Sequence, residues 1–142
     1  EPARSLVGNA GNLLTRVKFI KSNGDKQFAI VDAAMNDLMR PALYQAYHHI
    51  ENAEESDTAP FSADIVGPIC ETGDFFARDR EIAAQAGDLL VIRSAGAYSA
   101  SMGSNYNARV KPAEVLVNGS EVKLIRRRET LEQLMQNELD CL

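Results

Sequence analysis

The chain has 142 residues, 45% apolar and 25% charged, which suits one globular domain and excludes a disordered, collagen-like or low-complexity chain. Fifteen Lys and Arg against 20 Asp and Glu leave a formal charge of −5, without the broad positive field that nucleic-acid phosphates require. No apolar run nears the ~20 residues that span a bilayer, and two cysteines, Cys70 and Cys141, make no disulfide framework, so a cytoplasmic setting is expected.

The sequence opens Glu1-Pro2-Ala3-Arg4 with neither an initiator Met nor a signal-peptide pattern, and reads as a piece cut from a longer protein. Leu6, Val7, Ala10, Leu13, Leu14 and Val17 recur at helical spacing, which predicts a helix over Ser5 to Val17 with Ser5 as its N-cap. Gly8 and Gly11 lower its propensity by ~1 kcal/mol each, so it needs a close packing neighbour. Glu-Pro-x-Arg before a helix start suits an anion, although a plain loop-to-helix junction accounts for the same four residues.

Beyond Arg16 the pattern changes to strands. Val17 to Lys21 and Gln27 to Val31 flank Asn23-Gly24, a hairpin signal, and Met35 to Leu38 reads as a polar turn. Leu43 to Ile50 fits helix and strand alike; Tyr and Ile tip the expectation to a strand. Glu51 to Pro60 is a solvated loop, Ala63 to Val66 a strand, and Ile69 to Asp74 a compact turn. Phe75 to Ala86 is mixed, and Leu89 to Ile92 suits a strand buried on both faces. Glu114 to Val117 and Val122 to Ile125 flank a second Asn-Gly pair, at 118–119. Thr130 and Gln133 form a capping box for a terminal helix. The expected fold is mainly β, a β-sandwich or barrel-like domain with a helix at each end, the first a remnant of a different, missing unit.

Cys70, in a turn after Gly67-Pro68, is expected to be exposed, and its thiol suits a nucleophile, a proton donor or a metal ligand. No Cys-x-x-Cys partner supports a metal, and adjacent His48 and His49 point apart on a strand, so no metal site is expected. Beside Glu71 the thiol makes a sensible donor-and-cation-anchor pair; spacing alone fits a half-buried Cys next to a surface Glu equally well. Arg40 and Tyr44 suit a carboxylate clamp, against the plainer reading of a surface Arg and a core-edge Tyr. Tyr98 follows a buried strand among small residues that let a ligand approach; Tyr106 is a weaker candidate of the same kind. Arg126 to Arg128 is a solvated charge run.

Five segments occur in an order that is not generic: Glu1-Pro2-Ala3-Arg4 running on to Gly11, Asp32 to Tyr44 with Met39-Arg40-Pro41, Gly67-Pro68-Ile69-Cys70-Glu71-Thr72-Gly73-Asp74, Gly96-Ala97-Tyr98, and Ser104 to Asn107. With them the chain closely resembles the C-terminal portion of the diaminopimelate decarboxylase family, pyridoxal-phosphate enzymes with an alanine-racemase-like barrel. The resemblance implies a missing (β/α)8 barrel that carries pyridoxal 5'-phosphate on a Schiff-base lysine, with residues 1–16 as its end and residues 17–142 as the β-domain. It implies a homodimer with active sites at the subunit interface, a small amino-acid substrate, and conversion of meso-2,6-diaminopimelate to L-lysine and CO2. It implies that Glu1, Pro2, Ala3 and Arg4 meet the cofactor phosphate, with Arg4 also reaching substrate. Arg40 and Tyr44 would take a substrate carboxylate, Glu71 the distal ammonium, and Tyr98 both cofactor and substrate. Cys70 would protonate the carbanion, and Cys70 and Glu71 would serve the partner subunit's site. The family usually has Gly where Ala3 stands, a liability if that position needs positive φ.

None of the five lysines, Lys18, Lys21, Lys26, Lys111 and Lys123, sits in a setting like the family's Schiff-base lysine, so the chain alone is expected to be inactive. The alternatives are a fragment of a related basic amino acid or carboxynorspermidine decarboxylase, and a non-catalytic binding or assembly module.

Overall fold

The structure, a computed structural model, describes residues 2–141. The helix expected over Ser5 to Val17 stops early. Helix α1 covers Pro2–Val7, one 3-10 turn covers Gly8–Ala10, and Gly11 is already extended. Strand β1 then runs Leu13–Asn23. The reason lies in the burial: Thr15 and Val17 face inward while Leu14, Arg16 and Lys18 are exposed, a period of two. Leu13 and Val17, four apart, satisfy either period, which is why the helical reading ran on too far.

Seven further strands follow: β2 Lys26–Val31, β3 Ile50–Asn52, β4 Phe61–Val66, β5 Phe75–Ile82, β6 Leu89–Ile92, β7 Glu114–Asn118 and β8 Glu121–Arg126. Short helices α2 Arg40–Tyr44, α3 Ser99–Met102, α4 Leu131–Leu134 and α5 Gln136–Leu139, with a second 3-10 turn at Tyr106–Ala108, complete the elements of the described residues. The expected strand over Leu43 to Ile50 is replaced by α2 and an irregular stretch. Pro41 fits a helix's first turn, and Gln45 ends it in the left-handed region at φ 52°.

The first unit, residues 1–103, is built on one six-stranded sheet in the order β3-β6-β1-β2-β4-β5. Every neighbouring pair is antiparallel except β2 and β4. β1 turns a corner: Leu13–Arg16 pair with β6, and from Val17 onward it pairs with β2, with a register shift between Val17 and Phe19. The sheet therefore curls until its edges approach. Asn52 Nδ2 of β3 donates to the Ala83 carbonyl after β5 at 2.8 Å, and Arg80 Nη1 of β5 donates to the His48 carbonyl at 3.2 Å. The result is a nearly closed, barrel-like sheet, which also covers the two edges that would otherwise stay open. Val17, Val31, Leu38, Ile65, Phe76, Leu90 and Ile92 fill it. β6, between β3 and β1 in the sheet, is buried on both faces as its apolar run predicts.

Both hairpins form where the Asn-Gly pairs foretell, with a change of detail. Asn23 pairs with Lys26 and Asn118 with Glu121, so each Asn ends a strand and Gly opens a two-residue loop. Gly24 and Gly119 take φ 60° and 59°, the conformation for which that loop position favours glycine.

The second unit, residues 104–142, holds the β7–β8 hairpin and the two terminal helices. Thr130 and Gln133 make the expected capping box, with Thr130 N donating to Gln133 Oε1 at 3.0 Å and Gln133 N to Thr130 Oγ1 at 3.2 Å. The expected single helix breaks at Met135 into α4 and α5.

Candidate functional site

Topology alone gathers the residues that the sequence singles out in the first unit. β2 and β4 are parallel, so the loops after them, 32–39 and 67–74, leave the sheet at the same end. β1 is antiparallel to both β2 and β6, so the segment before β1 and the segment after β6 lie at that end too. Arg4, Cys70 and Glu71, and Tyr98 come from those segments, and Arg40 and Tyr44 from α2, into which the 32–39 loop runs.

Two glycines lock the first segment to the last. Gly96 N donates to the Gly8 carbonyl at 3.0 Å and Ala95 N to the Gly11 carbonyl at 2.8 Å. A Cβ on Gly96 would overlap the Val7 carbonyl, and one on Gly11 would overlap the Gly96 backbone. The small residues before Tyr98 thus admit the chain's own backbone. Tyr98 follows in the left-handed region at φ 70°, ahead of α3. The Arg40 guanidinium lies 5.8 Å from the Tyr98 ring centroid, within cation–π range, so residues 58 positions apart share one face. Both are half-buried, whereas Tyr44 is 62% exposed.

The loops after β2 and β4 are organised by carboxylates. Asp32 Oδ1 accepts from Thr15 Oγ1 and from Arg16 N, each at 2.8 Å, and Thr15 Oγ1 in turn accepts from Ala33 N at 2.9 Å. Asp37 Oδ2 accepts from Ala34 N at 2.9 Å and closes the turn that leads into α2. Asp74 is buried and accepts from Met35 N at 2.7 Å and from Ile69 N at 2.6 Å. Within the 67–74 turn, Asp74 N donates to the Glu71 carbonyl and Gly67 N to the Asp74 carbonyl, both at 3.0 Å. Cys70 and Glu71 are exposed on this turn. Beside β6, the Arg93 guanidinium hydrogen-bonds Glu51 and holds its carboxyl below the usual carboxylate range.

Glu1, named with the phosphate motif, lies outside the described residues, as does the Ala3 side chain. Arg4 is exposed within α1, so Pro2 to Arg4 already lie in the helix's first turn, which Ser5 therefore does not cap. Ala3 falls inside that helix, whose backbone asks for no positive φ. His48 is buried with Nδ1 2.9 Å from the Arg93 carbonyl, while His49 is exposed beside Glu51. Among the described residues no three His, Cys, Asp or Glu cluster to hold a metal, and no helix is long and apolar enough to cross a membrane. No lysine belongs to the four converging segments, and Lys26 is paired 2.9 Å from Asp64, whose hydrogen bond raises its pKa. Asp32, Asp74 and Gly96 stood inside the quoted motifs without a role; Asp74, an acid closing a glycine-flanked turn, carried a signal that could have been followed.

Comparison with known proteins places this architecture. The model of the pyridoxal-dependent decarboxylase C-terminal sheet domain matches residues 6–96. The diaminopimelate decarboxylase of Neisseria meningitidis serogroup A is 71% identical over 142 residues, covering all of this chain and 35% of that protein. A crystal structure from Aquifex aeolicus superimposes with a TM-score of 0.94 at 55% identity, covering 96% of this chain and 34% of that one. The Helicobacter pylori diaminopimelate decarboxylase complexed with L-lysine gives 0.91 at 41% identity, covering 98% and 34%. The chain therefore spans about a third of the length of these relatives.

Proposed function

Since the chain belongs to the pyridoxal-dependent decarboxylase C-terminal sheet-domain family, we propose that it is the C-terminal part of an enzyme that converts meso-2,6-diaminopimelate to L-lysine and CO2. The observation that carries the reading is the gathering of Arg4, Arg40, Tyr44, Cys70, Glu71 and Tyr98 at one end of the barrel, in a chain 71% identical to a named diaminopimelate decarboxylase.

The side chains at that end fit one wall of a pyridoxal-phosphate site. They offer cations, phenols and a thiol, and they lack an amine. When bound, pyridoxal phosphate supplies the electron sink for decarboxylation. In this reading Glu1, Pro2, Ala3 and Arg4 meet its phosphate, and Tyr98 lies against cofactor and substrate. Arg40, flanked by the Tyr98 ring, and Tyr44 hold the distal carboxylate; Glu71 holds the distal ammonium. A pair of opposite charges at the distal carbon separates this substrate from diamino acids that lack one of them. Cys70 Sγ holds the proton destined for the carbon that CO2 leaves.

The reading includes a cytoplasmic homodimer, with Cys70 and Glu71 serving the partner subunit's site. Leu6, Leu43, Tyr44 and Tyr47 are more than half exposed at the same end, an apolar surface that a neighbouring unit would cover. Helical residues 2–10 would belong to the end of the cofactor-binding barrel; Leu13 to Arg16 already pair with β6.

The full-length enzyme tests the reading: it should release CO2 from diaminopimelate and leave ornithine and lysine essentially untouched. Preference for ornithine or lysine would move it to a related decarboxylase. This chain by itself should release no CO2, and titration with pyridoxal phosphate should leave the free-aldehyde spectrum unchanged. A spectral shift traced to one of the five lysines would overturn the assignment of the cofactor-bearing amine to a different part of the enzyme.

A further inference from the structure

Asp74 is one of two buried acids among the described residues, 3% exposed, and a carboxylate removed from water must be compensated. Its compensation comes from the backbone of two different loops. One oxygen accepts from Met35 N at 2.7 Å, in the loop after β2; the other accepts from Ile69 N at 2.6 Å, in the turn after β4. Charge-assisted bonds of this length are about twice as strong as neutral ones. The surrounding sequence makes room for it. A Cβ on Gly67 would overlap both carboxylate oxygens, so glycine at 67 is what lets the group sit there. The same residue's main chain closes the turn, with Asp74 N bonded to the Glu71 carbonyl and Asp74 O accepting from Gly67 N.

The two loops it joins are the two that matter. Ile69 directly precedes Cys70-Glu71, and Met35 opens the Asp37-closed turn that delivers Arg40 and Tyr44 on α2. Gly73 lies beside the same two elements: a Cβ there would come within 3.9 Å of the Ala42 side chain of α2 and of the Met35 side chain. We propose that Asp74 is a positioning residue, a two-pronged backbone clamp that fixes the Cys70-Glu71 turn against the loop carrying Arg40 and Tyr44. This deepens the decarboxylase reading and rests on it. The clamp touches neither substrate nor cofactor; it acts by setting where the thiol and the distal anchor stand.

The test uses the full-length holoenzyme and three variants, Asp74→Asn, Gly67→Ala and Cys70→Ala. Asn presents one acceptor and an amide that cannot accept the second N–H, whereas Gly67→Ala keeps the carboxylate and pushes it off its seat. Each of the two should speed amide hydrogen exchange at least tenfold in peptides covering 33–38 and 67–73, leaving the β6 peptide unchanged. Each should lower kcat about 10²-fold, the scale of a misplaced reacting group, and enlarge the solvent deuterium isotope effect, because proton delivery becomes the slow step. A mere loss of folded enzyme lowers kcat without moving the isotope effect. Exchange that stays native in both loops overturns the clamp, as does exchange that rises equally in β6. Faster loop exchange with kcat and isotope effect intact overturns the positioning role. If Cys70→Ala keeps full turnover, the fault lies in the donor assignment, and the exchange data still decide the clamp.

Discussion

Replacing Cys70 with alanine in the full-length enzyme should lower kcat by ~10²–10⁴-fold, the range that a positioned general acid contributes, with KM nearly unchanged. The thiol sits on a turn whose geometry is fixed by its own main chain: Asp74 N to the Glu71 carbonyl at 3.0 Å and Phe75 N to the Gly73 carbonyl at 2.8 Å. It is exposed on that turn and in no disulfide. The substrate's charged groups fall to Arg40, Tyr44 and Glu71 in the proposed reading, so removing the thiol takes away transition-state stabilisation and leaves ground-state binding in place. Steady-state CO2 release gives both parameters. Cys70→Ser keeps a hydroxyl of much lower acidity and should fall between wild type and alanine. Turnover within tenfold of wild type for Cys70→Ala would remove the thiol from the donor role.

What the sequence makes legible here is local chemistry. Gly24 and Gly119 need positive φ at a fixed loop position, so both hairpins are visible in a dipeptide. The Thr130–Gln133 capping box is likewise complete within four residues. β6 shows itself because four apolar residues in a row, bounded by Gly87-Asp88, have few alternatives. The errors occur where a segment satisfies two periods. Leu13 and Val17 stand at both helical and strand spacing, and only the inward Thr15, bonded to Asp32, settles the matter. Leu43 to Ile50 holds a helix at one end and the start of β3 at the other, and Pro41 was the stronger signal.

The residue types of the candidate site are visible in the motifs; their assembly is not. It depends on a parallel pairing of β2 with β4 and on the corner in β1, contacts between segments 35 residues or more apart that no local pattern encodes. The supporting residues follow the same rule. Asp32, Asp74 and Gly96 look ordinary in their own neighbourhoods, and acquire a role only when Thr15, Met35 and Gly11 arrive from elsewhere in the chain. Of the candidate site's side chains, Arg4, Tyr44, Cys70 and Glu71 are exposed and Arg40 and Tyr98 half-buried, so packing constrains them little. The groups that aim them are buried or crowded, and tolerate far less.

That difference in tolerance predicts the largest stability effect in the molecule. Gly96→Ala should destabilise this chain by about 3 kcal/mol, at the upper end of overpacking, and lower its Tm by roughly 10 °C. The added methyl would lie against the Val7 carbonyl and 2.7 Å from the Gly11 amide nitrogen, both main-chain atoms that cannot rotate away. Relief requires breaking the bonds from Gly96 N to the Gly8 carbonyl and from Ala95 N to the Gly11 carbonyl, which together hold the end of α1 on the segment after β6. Gly73→Ala is the matched control. Its new Cβ would meet nothing closer than 3.9 Å, and its Tm should stay within about 2 °C of the parent. Thermal melts by circular dichroism compare the two directly. Equal melting temperatures for Gly96→Ala and Gly73→Ala would mean that the Gly11–Gly96 crossing yields at no cost. It could not then be what keeps Arg4 at the same end of the barrel as Tyr98.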